Sequence, residues 1–143
     1  MAAKRQRAGR KDKELNMEVN ELTGIVLDAC IKIHTDIGPG CFEKVYEETL
    51  YYELFKRNVQ AERQLLMPIA YEELLINDAY RVDLLVEKKL IVEIKSIERL
   101  APVHYKQVMT YLRLMKIKNG LLLNFNVEWM KDGFHRVFNN EGC

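Results

Sequence analysis

Two acids and a lysine within one strand-like stretch have the residue types and the spacing to act together on a phosphate or a cation. The stretch is residues 81–96, RVDLLVEKKLIVEIKS, in which two runs rich in Val, Leu and Ile flank a charged break at residues 87–89. This pattern predicts a β-hairpin. A three-residue loop would place Asp83 directly opposite Glu93, at a Cβ separation of about 5 Å. Lys95, two residues beyond Glu93, would point to the same side of the sheet.

Charged groups amid apolar sequence are costly to bury unless a cation or a phosphate completes them. A hard cation such as Mg²⁺ prefers oxygen ligands and keeps several waters, so one or two carboxylates suffice to hold it. Such an ion can activate water and neutralise charge on a phosphate. A nearby lysine can orient that water and stabilise developing charge. The structural alternative is an exposed cross-strand cluster of charges.

The elements that must position this hairpin follow from apolar periodicity and from glycine and proline signals. In chain order we predict helices at 21–36 and 42–57, a strand at 61–71, the hairpin, a helix at 102–116, a strand at 121–125 and a possible last strand at 135–138. Residues 74–77 fit either a short strand or the edge of a turn. The order predicts an α/β domain with a mixed central sheet.

Helical spacing also predicts which side chains share one face of a helix. In the first helix Thr23 is a possible cap. The second helix should have an apolar stripe of Phe42, Val45, Tyr46, Leu50 and Leu54. In the helix after the hairpin, one face should carry Val103, Gln107, Tyr111 and Leu114.

Composition bounds the class of protein. The chain has 143 residues and is 48% hydrophobic, which is enough for one domain. No apolar run is long enough to cross a membrane and no hydrophobic signal segment begins the chain, so we expect a cytoplasmic protein without membrane contact. The three cysteines fit no disulfide or zinc pattern.

The net charge of +1 is unevenly distributed, since residues 1–13 hold six Lys or Arg and one acid. We therefore divide the chain into a basic tail that we expect to be disordered (1–20), a single domain (21–138) and a C-terminal tail (139–143). The basic tail could contact nucleic acid through counterion release, or it could be a solvated leader.

Four features together resemble the PD-(D/E)XK nuclease superfamily. The pattern Asp-x9-Glu-x-Lys at residues 83–95 is similar to its signature, with Val82 where proline is frequent. Residues 40–46, GCFEKVY, match GxxExxY, so the chain looks like the small GxxExxY family of that superfamily. Residues 107–111, QVMTY, match the QxxxY element of RecB-type nucleases, and LLLNFNV at 121–127 falls where the family has its closing strand. The resemblance covers about residues 21–138.

This resemblance implies a restriction-endonuclease-like core, an α/β fold whose mixed sheet is flanked by helices in the order α-α-β-β-β-α-β. It also implies a nuclease that uses Mg²⁺ or Mn²⁺ to hydrolyse phosphodiester bonds in nucleic acid, with DNA as the expected substrate. The metal ligands would be Asp83, Glu93 and the Ile94 carbonyl, with Glu43 as a further ligand or water holder. Lys95 would be the catalytic cation, and Gln107 and Tyr111 would line the same cleft.

Each of these roles has a structural alternative. Glu43 would interact well with the helix dipole, Gln107 could be a surface residue, and Tyr111 could belong to the core. His34 and His104 could be general bases, although a histidine on an amphipathic helix is more often packed or hydrogen-bonded.

Arg81 could contact phosphate or pair with an acid, and Trp129 could stack on a base or be a partly buried anchor.

For the chain as a whole, the alternative is a catalytically silent module with the nuclease fold that binds nucleic acid or acts as a subunit of a larger complex. Homo-oligomerisation would supply additional surface in either case. A hydrolase for a small phosphate ester is a third possibility.

Overall fold

Residues 18–140 are the part of the chain that this computed structural model describes, and they contain three α-helices and five β-strands. The helices are α1 (Val19–Ile37), α2 (Glu43–Lys56) and α3 (Pro102–Met115). The strands are β1 (Ala61–Tyr71), β2 (Leu74–Val86), β3 (Leu90–Lys95), β4 (Asn119–Asn124) and β5 (Phe134–Phe138), with a 3-10 turn at Met130–Gly133. Most of the predicted basic tail and the last three residues of the C-terminal tail lie outside the described residues. No helix between residues 18 and 140 has the length and apolar character needed to cross a bilayer.

The five strands form one mixed sheet in the order β1-β2-β3-β4-β5. Only β3 and β4 run parallel, because α3 crosses over between them, and the other neighbours are antiparallel. The predicted α/β class, mixed sheet and α-α-β-β-β-α-β order are confirmed, and the possible last strand is present as β5. This is the arrangement expected of a restriction-endonuclease-like core.

The hairpin between β2 and β3 has the predicted three-residue loop. Val86 pairs with Leu90 and Leu84 with Val92, so the same register continued by one step places Asp83 opposite Glu93. Residues 74–77, left undecided from sequence, begin β2. That strand pairs with β1 along its length, with a register shift between Met67 and Ile69.

Two apolar layers cover the sheet. α1 and α2 pack on one face, and the stacked rings of Tyr46 and Phe125, 4.3 Å apart at their centroids, join α2 to the segment after β4. α3 packs on the other face through Val108, Tyr111 and Leu112. Leu121, Leu122 and Leu123 are wholly buried, as predicted for a strand covered on both sides.

One predicted helix cap and two predicted positions of an apolar stripe were wrong. Thr23 is buried inside α1, which begins at Val19, so it is not a cap. Phe42 is 84% exposed and Val45 is 37% exposed. Phe42 precedes the first turn of α2, so its side chain does not follow the helical stripe.

The face of α3 that packs on the sheet only partly coincides with the face predicted to carry Val103, Gln107, Tyr111 and Leu114. Val103 and Leu114 are 64% and 41% exposed, whereas Val108 and Leu112, one residue along from the predicted positions, pack on the sheet.

The hairpin of β1 and β2 continues beyond the core as an arm, residues 66–76. Its large apolar side chains are 44% to 66% exposed: Leu66, Tyr71, Leu74, Leu75 and Ile76. Because consecutive residues of a strand point to opposite faces, the exposure of Leu74, Leu75 and Ile76 means that both faces of the arm are uncovered.

Two glycines give opposite expectations for alanine substitution. A Cβ on Gly133 would lie 1.9 Å from the carbonyl oxygen of Asn124, whereas a Cβ on Gly24 in α1 would meet nothing within 4 Å. We expect Gly133→Ala to lower the free energy of unfolding by roughly 1–3 kcal/mol, because backbone must move. Gly24→Ala should raise it by up to about 1 kcal/mol through helix propensity. Urea unfolding of both variants measures the difference, and equal effects would contradict the close packing at Gly133.

Candidate active site

Asp83 joins β2 to β3 where the backbone pairing of the hairpin ends. Its Oδ2 accepts a hydrogen bond of 2.8 Å from the Ile94 N–H. The side chain thus takes the place of a backbone acceptor and is fixed beside Glu93. The convergence predicted from the hairpin register is present.

Glu93 is a buried carboxyl group that lacks full compensation. It is 4% exposed, and its Oε1 is buried without a hydrogen-bond partner among residues 18–140. Its Oε2 lies 3.4 Å from Nζ of Lys95, whose side chain is 16% exposed. Burial, followed by the negative charge of Asp83, raises the pKa of Glu93 to about 8, although Lys95 acts in the opposite direction. In the metal-free protein the site therefore favours the protonated form of Glu93 more than water favours that of a free carboxyl group.

A second buried acid contacts this pair through an amide. Gln64 in β1 places Nε2 within 3.4 Å of Asp83 Oδ1 and hydrogen-bonds Glu47 Oε1 through the same nitrogen. Glu47 is 6% exposed, and its other oxygen accepts a bond of 3.2 Å from Arg63. Gln64 has a φ of 50°, an irregular strand conformation that accompanies this contact.

Sequence reasoning missed Glu47 and Gln64. A signal for Glu47 was available, because Glu43, Glu47, Leu50 and Leu54 recur at steps of four, three and four along one face of α2. An acid within an apolar stripe needs a buried partner. Gln64 falls opposite Asp83 in the register of β1 and β2, since Arg63 pairs with Leu84 and Leu65 with Val82. That register was not available from sequence, because residues 74–77 were left undecided between a strand and a turn.

The GxxExxY residues fasten the loop before α2 to the end of β3. Gly40 has a φ of 95°, a conformation that favours glycine. The Tyr46 hydroxyl donates to the Gly38 carbonyl at 2.5 Å and accepts from the Cys41 N–H at 3.1 Å. Glu43 Oε2 accepts from the Ser96 N–H at 3.2 Å. Each defined position of the motif thus has a structural task.

Ser96 also donates a side-chain hydrogen bond to the same loop. Its hydroxyl donates to the Cys41 carbonyl at 2.6 Å. Because Ser96 directly follows Lys95, these bonds hold the loop next to the candidate site. Glu43 lies there as predicted, in the first turn of α2, where its charge also suits the helix dipole.

Asn124, a further residue that sequence reasoning missed, holds the loop after β3. It is 3% exposed, accepts from the Ile97 N–H at 3.1 Å and donates to the Ile97 carbonyl at 3.0 Å. It pairs with Lys95 in the parallel register of β3 and β4. A lone amide at the end of the apolar run at 121–125 was the available signal, since a buried amide must find partners.

α3 forms the other wall of the site. Gln107 Nε2 donates to the Tyr111 hydroxyl at 2.9 Å, so the two lie on one helical face as expected. Tyr111 is 7% exposed and stacks on Tyr80 at 4.9 Å, so it is also a core residue. Burial and then the charge of Glu93 raise the pKa of Tyr111.

An open groove of about 510 Å³ runs between the end of β3 and α3. Its lining residues are Lys95, Val103, His104, Lys106, Gln107 and Thr110. Lys95 and Gln107 therefore face a common space, while Tyr111 lies beneath it.

Both histidines have hydrogen-bonding roles. His104 Nδ1 accepts from the Ala101 N–H at 2.8 Å and caps α3, and His34 Nε2 lies 2.7 Å from the Val127 carbonyl oxygen. Arg81 is exposed. Trp129 is 68% exposed, so it is not the partly buried anchor considered from sequence.

The residues at the end of β3 fit a hard divalent cation. No group of three or more His, Cys, Asp or Glu side chains within residues 18–140 is arranged to hold a metal ion. Asp83 and Glu93 nevertheless supply two neighbouring carboxylates, and the partnerless Oε1 of Glu93 offers an unused acceptor. Two carboxylates and retained waters are the usual donors for Mg²⁺.

The raised pKa of Glu93 predicts a pH-dependent cost of folding. In the unfolded chain this group ionises near 4.5 and in the folded chain near 8, so the wild type loses stability as pH rises between these values and no further above them. Glu93→Gln removes the titration. Without metal, its melting temperature should exceed that of wild type by roughly 5 °C or more at about pH 8, and the gap should shrink toward about pH 5. Glu98→Gln, at an exposed position in the following loop, is the control. Parallel pH profiles for both variants would refute the prediction.

Comparison with known proteins gives one match. Neither the curated proteins nor the solved structures contain a significant match to this sequence. A sequence model described as the PD-(D/E)XK nuclease superfamily matches residues 20–137, which include the hairpin carboxylates, Lys95, the loop before α2 and all of α3. With more than half of its length matched, the chain belongs to the PD-(D/E)XK nuclease superfamily.

Proposed function

We propose that this protein is a metal-dependent nuclease that hydrolyses phosphodiester bonds in nucleic acid, with DNA as its substrate. One observation carries the proposal: Asp83 and Glu93 meet at the end of β3 with the Lys95 ammonium 3.4 Å from Glu93, in a chain of a nuclease superfamily. We assign the chain to the GxxExxY family, because Gly40, Glu43 and Tyr46 of the motif each contribute to holding the loop before α2.

We propose Mg²⁺ or Mn²⁺ as the cofactor. Asp83, Glu93 and the Ile94 carbonyl would hold it, and Glu43 would hold a water nearby. When bound, an ion of this class activates water and neutralises charge on the phosphate. Glu93 must lose its proton to become a ligand, so binding favours the ionised form that burial disfavours.

The chain's own groups have separate tasks. Lys95 lies between Glu93 and the groove, where its ammonium can orient the attacking water and stabilise charge on the phosphate oxygens. Gln107 faces the same groove and can donate to a phosphate oxygen. Tyr111 fixes the orientation of Gln107 through its hydroxyl.

The test is cleavage of single-stranded, double-stranded and branched DNA, and of RNA, with Mg²⁺ or Mn²⁺. Asp83→Asn and Lys95→Met should each lower kcat/KM by about 100-fold or more, because one removes ligand charge and the other the cation. Lys88→Met is the matched control, since Lys88 is exposed in the turn at the opposite end of the same hairpin. Calorimetric titration with Mn²⁺ should show weakened binding for Asp83→Asn alone. Cleavage that is unchanged in both site variants would overturn the assignment.

The setting we propose is cytoplasmic. Cys30 and Cys41 are free thiols, one of them buried, as is usual for proteins of reducing compartments.

The exposed arm supports self-association. It also favours the second candidate function, that of a catalytically silent subunit of a larger complex. A second copy supplies the same apolar surface, and a two-fold contact pairs a patch with itself. The five large apolar side chains of residues 66–76 exceed the scattered exposure usual on a monomer.

We expect light scattering to give a dimer for wild type and a monomer for Leu75→Glu, because a charge would be placed in the apolar contact. Phe55→Glu, at a 73% exposed position in α2, should remain dimeric. A monomeric wild type would exclude self-association through the arm.

A further inference from the structure

Phe42 is the most exposed large apolar side chain in residues 18–140, at 84%. It lies at the start of α2, between Cys41 and Glu43. An exposed phenylalanine contributes nothing to the core, and its ring is free to contact a ligand on either face.

The backbone around Phe42 is fixed. Its two neighbours both bond Ser96, Cys41 through its carbonyl at 2.6 Å and Glu43 through its carboxylate at 3.2 Å. The Tyr46 hydroxyl holds the loop from the other side, at the Cys41 N–H. A ring presented by a loop with so many anchors loses little conformational freedom when it binds.

The anchors also determine where the ring is presented. Ser96 follows Lys95, so Phe42 stands at the end of β3 next to the candidate site. The groove that Lys95 shares with α3 contains a second lysine, Lys106, and the hydroxyl group of Thr110. Cationic and hydroxyl groups suit a phosphate backbone, and an exposed aromatic ring at the end of the same strand, on the α2 side, suits a base.

We propose that Phe42 stacks on an unpaired nucleobase adjacent to the phosphate held at Lys95, so that this site takes single-stranded DNA. The inference rests on the proposed nuclease function and specifies its substrate. In a duplex both faces of each internal base are covered by its neighbours. Insertion of the ring into a duplex would require the unstacking of a base step, at a cost of a few kcal/mol. A strand whose bases are unpaired offers a stacking partner without that cost.

A single exposed apolar residue is common on protein surfaces, so the test needs a matched residue. Phe55 provides one, because it is 73% exposed and lies at the other end of the same helix, α2. Phe42→Ala and Phe55→Ala remove the same group from two largely exposed positions, so both variants should fold, which circular dichroism verifies. Phe42→Tyr keeps the ring and serves as the rescue variant.

The experiment measures the Kd of the full chain for a labelled single-stranded DNA oligonucleotide and for its blunt duplex, by fluorescence anisotropy in EDTA so that no cleavage occurs. Stacking on one base accounts for a loss of about 5- to 100-fold in single-strand affinity for Phe42→Ala. Duplex affinity should change little. Phe55→Ala and Phe42→Tyr should bind like wild type.

Equal single-strand affinities for Phe42→Ala and Phe55→Ala would overturn the proposal, and so would an equal loss of duplex affinity in Phe42→Ala. These results are separable from failure of the proposed function. If wild type cleaves DNA while Phe42→Ala behaves as Phe55→Ala, stacking alone is refuted. If wild type neither binds nor cleaves any nucleic acid, the nuclease function is refuted together with it.

Discussion

The hydrogen bond from the Ile94 N–H to Asp83 is the contact on which the rest of the site depends. It replaces a backbone ladder bond with a bond to a carboxylate, at the position where β2 and β3 stop pairing. A side chain held by backbone has one orientation, so Asp83 stays beside Glu93. β4 supports this arrangement from the other side of β3 through parallel pairing, and α3 covers Glu93.

Burial of an acidic side chain costs free energy unless hydrogen bonds or ion pairs replace its hydration. Glu47 and Glu93 differ in how many such partners they have. Glu47 has Arg63 and Gln64 as partners, so its charge is satisfied. Glu93 has one oxygen near Lys95 and one without a partner in the described chain, and its proton affinity rises accordingly. Of these two acids, the one with an oxygen unpaired within residues 18–140 lies at the end of β3. A buried acid with a raised pKa next to an open groove is the kind of group found at functional sites.

The sequence predicted the hairpin and its loop because periodicity along a strand and the length of a turn are local properties. The register that brings Asp83 to Glu93 follows from those alone. The helix faces were less predictable. Phe42 was assigned to a stripe because spacing cannot distinguish the residue before a helix from its first turn. Gln64 was not found, because its contacts depend on the register of β1 against β2 and on the packing of α2 against the sheet.

Motif residues can have tasks that motif matching does not state. GxxExxY was recognised as a pattern around Glu43, yet Tyr46 is wholly buried, and its hydroxyl group organises the turn that precedes α2. Part of what the pattern records is therefore the attachment of a loop to the sheet. The buried Asn124 attaches the next loop in a similar way.

The parallel pairing of β3 with β4 has a consequence for the order of assembly. Asp83 and Glu93 are joined by a short hairpin, whose loop is cheap to close, whereas β4 reaches β3 only after the whole of α3 has been placed. We expect the carboxylate pair to form early, while it is still hydrated, and to lose water when α3 docks. The desolvation cost of Glu93 then falls on a late step of folding.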